Sequence, residues 1–238
     1  MPTETTSEAD AASALVMTFA HDLRQPLRSI LMAAQRLQRS PDTLSDEVKG
    51  KLEEIVSAAR RQEELIAGVV EYDQALQTGL SRDTNLALRL VIQTACMKVD
   101  AFRRLRDGAI RYEPDSIPAV FAPSGLSRVL EKILHNSLKF HSPGASPKVE
   151  VEVTEQAYSV ITVRVCDDGI GVEPQYREAV FHPFKRLNPV SEYPGSGMSL
   201  ATCRRLMESI RGTIRFEDHQ SGPGAAVILS FPLLKTEN

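Results

Sequence analysis

Cysteine is scarce. Only Cys96, Cys166 and Cys203 occur among 238 residues, far apart and without a CxxC pair. That excludes a disulfide framework and a cysteine zinc site, and it fits a reducing compartment. Long apolar runs are missing as well. No stretch approaches the roughly 18 residues of a membrane span. The first ten residues, MPTETTSEAD, are too acidic and polar for a signal peptide. A cytoplasmic protein is expected, with no membrane contact of its own; a membrane sensor either never belonged to it or lies outside this chain. A basic excess is absent too: Lys plus Arg is 28, Asp plus Glu is 31, and the net charge is −3. Such a balance does not suit a nucleic-acid binder. Repeats and low-complexity segments are lacking.

What is present suits two domains. Apolar residues make up 42% of the chain, enough to bury a core. From about Ala11 to Arg39, Leu15, Phe19, Leu23, Leu27, Ile30, Ala34 and Leu37 recur at helical spacing. Ser40, Pro41 and Asp42 signal a turn. A second helical pattern runs from about Ser45 to Gln77 and stops at Thr78–Gly79, a C-cap signal. Two helices of about 30 residues, each about 45 Å long, leave an apolar seam exposed. Pairing two copies into a four-helix bundle covers it. A plain dimerisation hairpin satisfies the same pattern.

Past Ser81 the pattern becomes mixed. Helices are expected at about Leu86–Arg106, Gly125–Phe140 and Leu200–Ile210. Strands are expected at Ala109–Tyr112, Lys148–Thr154, Ser159–Cys166, Thr213–Glu217 and Ala226–Phe231. The two central strands read as a hairpin. The fold class is α+β, a helical hairpin over residues 1–80 followed by an α/β sandwich over residues 81–238, with helices on one sheet face.

Four motifs carry chemistry. HDLRQPL places His21 inside the first helix, where a neutral imidazole is a good nucleophile. Asp22 can hold or accept the proton of its second nitrogen, provided it reaches sideways along the helix. Pro26 removes a backbone hydrogen bond beside them and should bend the helix. The competing interpretation is a histidine on the polar edge of a coiled coil. In EKILHNSLKFH, Asn136 and Lys139 share a helix face; an amide oxygen ligates magnesium and a lysine meets phosphate. An ordinary amphipathic helix also carries such residues on its polar side. DDGIG puts Asp167 at a strand end with Gly169 and Gly171 after it, allowing close backbone approach to a ligand. A simple turn has the same composition. VFHPFKRLN brings Lys185 and Arg186. EYPGSGMSL brings Gly195 and Gly197 ahead of a helix N-terminus, a ready anion site, though a surface loop is the plainer interpretation.

Taken in this order and at this spacing, the motifs resemble those of the sensor histidine kinases, over about residues 11 to 233. KFHSP, and FKRL followed by EYPGSG, make the chain similar to the output modules of phytochrome-type and other PAS-linked sensors. The resemblance implies a dimerising phosphoacceptor hairpin and an ATP-binding sandwich shared with the Hsp90 and MutL group. It implies that His21 accepts a phosphoryl group from ATP with help from Asp22. Asn136 would bind Mg²⁺ and Lys139 phosphate. Asp167 would meet the adenine amine, with Gly169 and Gly171 shaping the pocket. Gly195 and Gly197 would hinge a lid, with Lys185 and Arg186 as lid contacts. Expected partners are a second copy, an upstream sensor domain or protein, and a response regulator receiver domain on another chain. Two positions depart from the family pattern. Lys132 stands where a second asparagine is usual, and Ser199 replaces the third lid glycine. Both point to low activity, and they leave open a degenerate adaptor or phosphatase acting on the regulator.

Overall fold

The computed structural model describes residues 3–39, 44–80, 85–156, 160–189, 192–219 and 223–233. The turn signal at Ser40, Pro41 and Asp42, and the residues Ser81 and Ser159, lie outside them. Two compact units result, Met1–Gln77 with Asn188–Met198, and Thr78–Leu187 with Ser199–Asn238.

In the first unit, α1 (Thr3–Gln38) and α2 (Asp46–Thr78) form the expected hairpin. Helix α1 begins earlier than the apolar pattern indicates and runs through Pro26 as one helix. Proline has no N–H, so the carbonyl of Asp22 one turn back lacks its helical donor. The apolar residues of α1 fall on two neighbouring faces. Ala34 is buried against Leu52 and Val56 of α2, with Leu31 and Leu44 alongside. Leu15, Phe19, Leu23, Ile30 and Leu37 are each more than half exposed, and they recur every four or seven residues, which is one helix face. Near the open end of the hairpin, Ser13 Oγ donates to Asp73 Oδ2 at 2.5 Å. Helix α2 ends at Thr78, and Gly79 takes the left-handed conformation (φ 58°) that stops a helix.

The second unit is a sheet with helices on one face. Its elements are β1 (Asn85–Ala87), α3 (Leu88–Leu105), β2 (Ala109–Arg111), β3 (Phe121–Pro123), α4 (Leu126–Lys139), β4 (Lys148–Gln156), β5 (Val160–Asp167), α5 (Ser199–Ser209), β6 (Thr213–Glu217) and β7 (Ala225–Pro232). Strands pair in the order β2-β4-β5-β7-β6, with β2 parallel to β4 and the rest antiparallel. Alternation selects the buried face: Val149 and Val151 point inward, while Glu150 and Glu152 face water. Val163 and Val165 of β5 and Leu229 and Phe231 of β7 complete the sheet side of the core. Helix α4 covers it with Leu130, Ile133, Leu134 and Leu138, all at most 1% exposed, and packs between α3 and α5.

One strand pair was not anticipated. β1 and β3 form a separate two-stranded sheet, so residues 85–87 belong to a strand and not to the start of α3. The three cysteines are free. Among the described residues no helix is long and apolar enough to cross a membrane.

Candidate functional site

His21 projects from α1 with its side chain 79% exposed. Its Nδ1 lies 3.2 Å from Asp22 Oδ1, so the carboxylate does reach sideways to its neighbour. In the tautomer that carries its proton on Nδ1, that N–H donates to Asp22 and Nε2 keeps its lone pair.

Asp167 is the last residue of β5 and is 7% exposed. Its Oδ1 accepts from the Gly169 N–H at 3.0 Å and from the Ala225 N–H at 3.2 Å. Ser137 of α4 adds a side-chain hydrogen bond. Burial pushes the carboxyl above its ordinary range against these three favourable contacts. Two main-chain amides already occupy Oδ1, so a ligand would bond Oδ2. Its neighbour Asp168 does something different. Its Oδ1 accepts from the Lys148 N–H at 2.7 Å and ties the turn to β4.

Close backbone contacts shape the turn. A Cβ at Gly169 would overlap the carbonyl oxygen of Phe140, and one at Gly171 would lie 2.8 Å from the Gly224 carbonyl oxygen. Ile170 N–H donates to Phe140 O at 3.0 Å. The turn is thus fastened to the C-terminal end of α4, the helix that carries Asn136 and Lys139.

Along α4, Lys132, Asn136 and Lys139 are half-buried. His135 stacks on Phe102 of α3 with centroids 4.2 Å apart. Burial, then the charges of Lys139, Lys132 and Arg106, hold its imidazole below the usual range. The charge of Glu131, which pairs with Lys98, opposes them. Among the described residues no group of three His, Cys, Asp or Glu side chains could hold a metal. A magnesium ion at Asn136 would take its remaining oxygens from phosphate and water.

Lys185 is exposed and Arg186 half-buried. The chain before them is anchored: Arg177 pairs with Asp218 at 2.5 Å, and Arg204 of α5 pairs with Glu178 while lying 4.2 Å from the Phe181 ring centroid. Gly195 and Gly197 belong to the unit of the hairpin, as do His21 and Asp22; the other candidates belong to the unit of Asp167. Sequence reasoning missed Ser137, Gly224 and the Ala225 amide. A serine beside Asn136 and a glycine directly before the last strand were the available signals.

Residues 122–235 match the model of the histidine kinase-, DNA gyrase B-, and HSP90-like ATPases, and residues 11–76 match the His Kinase A (phospho-acceptor) domain. The phytochrome-like protein Cph1 of Synechocystis sp. is 29% identical over 215 residues, covering 90% of this chain and 28% of that protein. The histidine-protein kinase/phosphatase MprB of Mycolicibacterium smegmatis is 28% identical over 229 residues, covering 92% of this chain and 45% of MprB. The sensor histidine kinase CpxA of Escherichia coli is 29% identical, covering 93% and 47%. The chain thus spans less than half of each of these relatives. Full-length ShkA, solved in complex with AMPPNP, shares the fold with a TM-score of 0.66 at 19% identity, over 94% of this chain and 46% of that one.

Proposed function

Because the chain belongs to the sensor histidine kinases, as a phosphoacceptor hairpin joined to an HSP90-like ATPase domain, we propose that it phosphorylates His21 with ATP and passes the phosphoryl group to a response regulator aspartate. Asp167 Oδ2 accepts from the adenine amine. Asn136 gives its amide oxygen to magnesium, whose charge offsets that of the phosphates when bound. Lys139, Lys185 and Arg186 hold the triphosphate, and Gly195 and Gly197 let the lid backbone approach it. His21 Nε2 attacks the γ-phosphorus in line. The N–P bond forms, the bond to the bridging oxygen breaks, and ADP leaves with the electron pair. The Nδ1 proton moves toward Asp22, which restores a neutral ring.

The observation that carries this reading is the exposed imidazole with Nδ1 3.2 Å from Asp22 Oδ1 on the phosphoacceptor helix. Incubation with γ-labelled ATP and magnesium is expected to leave acid-labile label on the wild type and none on His21→Ala. Equal labelling of both would sink it. A second reading rests on Lys132 and Ser199: slow phosphotransfer, with the hairpin serving as an adaptor or a phosphatase toward the regulator. The MprB relative is itself named a kinase/phosphatase. Loss of label from a phosphorylated regulator on adding the chain would support it.

The exposed face of Leu15, Phe19, Leu23, Ile30 and Leu37 fits a second copy of the hairpin, giving a homodimeric four-helix bundle. Light scattering at micromolar concentration should return the dimer mass. Ile30→Glu puts two charges into that seam and removes about 1.5–3 kcal/mol of burial per copy, so the variant should run as a monomer. A wild-type monomer would contradict the bundle. An upstream sensor domain or protein would act through the start of α1.

A further inference from the structure

Gly68 lies in the interior of α2, where glycine is a poor helix former compared with alanine. Its surroundings supply the reason for glycine. An ideal Cβ there would lie 2.8 Å from Ser196 Oγ, 2.9 Å from Met198 Cγ and 3.0 Å from Met198 Cβ. Only a hydrogen leaves room for the segment that carries Gly195 and Gly197. Met198 is 3% exposed and Tyr193 8% exposed, and within the segment the Met198 N–H donates to Ser196 Oγ at 3.3 Å, so the part that meets Gly68 is buried and locally ordered. All of these residues belong to one compact unit. The chain just past α2 makes a separate attachment. Leu80 N–H donates to Ser209 Oγ at 2.8 Å, at the end of α5, the helix into which the segment leads.

We propose that Gly68 is a seat for the glycine-rich segment, and that α2 competes with bound triphosphate for it. The hairpin then sets how readily the segment closes on nucleotide, because a seated segment must first leave α2. A change in α2 reaches that segment directly at Gly68. The nucleotide half of this proposal rests on the lid role given above to Gly195 and Gly197; the seat itself does not.

Two variants of the full chain test it, Gly68→Ala and Gly68→Leu. Both residues favour helix more than glycine does, so neither should melt α2. Without nucleotide, the backbone amides of Tyr193 and of residues 195–198 should lose at least about tenfold in hydrogen-exchange protection in Gly68→Leu, with a smaller loss in Gly68→Ala. Affinity for a fluorescent ATP analogue should rise roughly three- to tenfold in Gly68→Leu, because a larger fraction of the chains has the segment released. Unchanged protection, with a higher melting temperature for Gly68→Ala, would overturn the seat, since alanine would then act only through helix propensity. Lost protection with no gain in affinity would overturn the competition. If the wild type binds no nucleotide at all, the kinase reading falls, while the amide protection still decides the seat.

Discussion

Gly224→Ala is expected to destabilise the unit built on β4, β5 and β7 strongly, and to abolish nucleotide binding with it. Gly224 has φ 125°, a backbone conformation that alanine rarely adopts. Its Cβ would overlap the carbonyl oxygen of Asp167, 2.7 Å from the carbonyl carbon and 3.0 Å from Asp168 Cα. All three atoms are main chain at the end of a paired strand, so no rotamer change relieves the overlap. Either φ at residue 224 must change or β5 and β7 must separate where Asp167 pairs with Ala225. Backbone strain and overpacking together amount to roughly 3–5 kcal/mol. For a domain of this size that lowers the melting temperature by roughly 10 °C or more. Relief of the overlap also moves the Ala225 amide off Asp167 Oδ1. Gly144→Ala is the control: its φ is 80°, but nothing lies within 4 Å of the added methyl, so it carries the backbone strain alone. Calorimetric unfolding of both variants decides the matter. A Gly224→Ala protein that melts with Gly144→Ala and still binds ATP would show that the Asp167 turn is not built this tightly.

Much of this architecture could be read from residue spacing, and the parts that could not have physical reasons. The expected β6, Thr213–Glu217, agrees with the observed strand, because Ile214 faces the core between outward Thr213 and Arg215 and a period of two is visible within five residues. β4 and β5 were legible for the same reason. β1 and β3 are three residues each, too short to show any period, and the apolar Leu86 joined the helical pattern of α3 instead. Asp167 is a candidate because of its place at a strand end. Its supporting contacts come mostly from main-chain amides at Gly169 and Ala225, and amides are common to every residue type. Nor did any spacing reveal that Ser196 and Met198 rest against Gly68. A helix-interior glycine in the sequence marks a cost without naming the neighbour that imposes it.

Asp167→Asn is expected to bind ATP at least about tenfold more weakly while melting at a higher temperature than the wild type at neutral pH. The two effects have different origins. Burial raises the folded-state carboxyl above its unfolded value, despite Ser137 and the amides of Gly169 and Ala225. Between the unfolded and folded values the native chain therefore holds more protons than the unfolded chain. Stability is greater at pH values below that window and falls as pH rises through it. Above that window the wild type carries the whole of this penalty, and a neutral asparagine carries none. Asparagine also preserves the turn, since its carbonyl oxygen can accept from the Gly169 and Ala225 N–H groups in place of Oδ1. Its amide nitrogen then stands where Oδ2 stood. That nitrogen donates, and so does the exocyclic amine of adenine, so a charged hydrogen bond is replaced by two opposed donors. The loss is roughly 1.5–3 kcal/mol, or about tenfold to more than a hundredfold in affinity. Thermal melts across pH 3 to 8 and titration calorimetry with ATP test each part. The difference in melting temperature between the two proteins should shrink as pH falls through the window, because the wild-type carboxyl becomes protonated there. Unchanged ATP affinity would take Asp167 out of the adenine site, and a lower melting temperature at neutral pH would show that its charge is a net stabiliser of the fold.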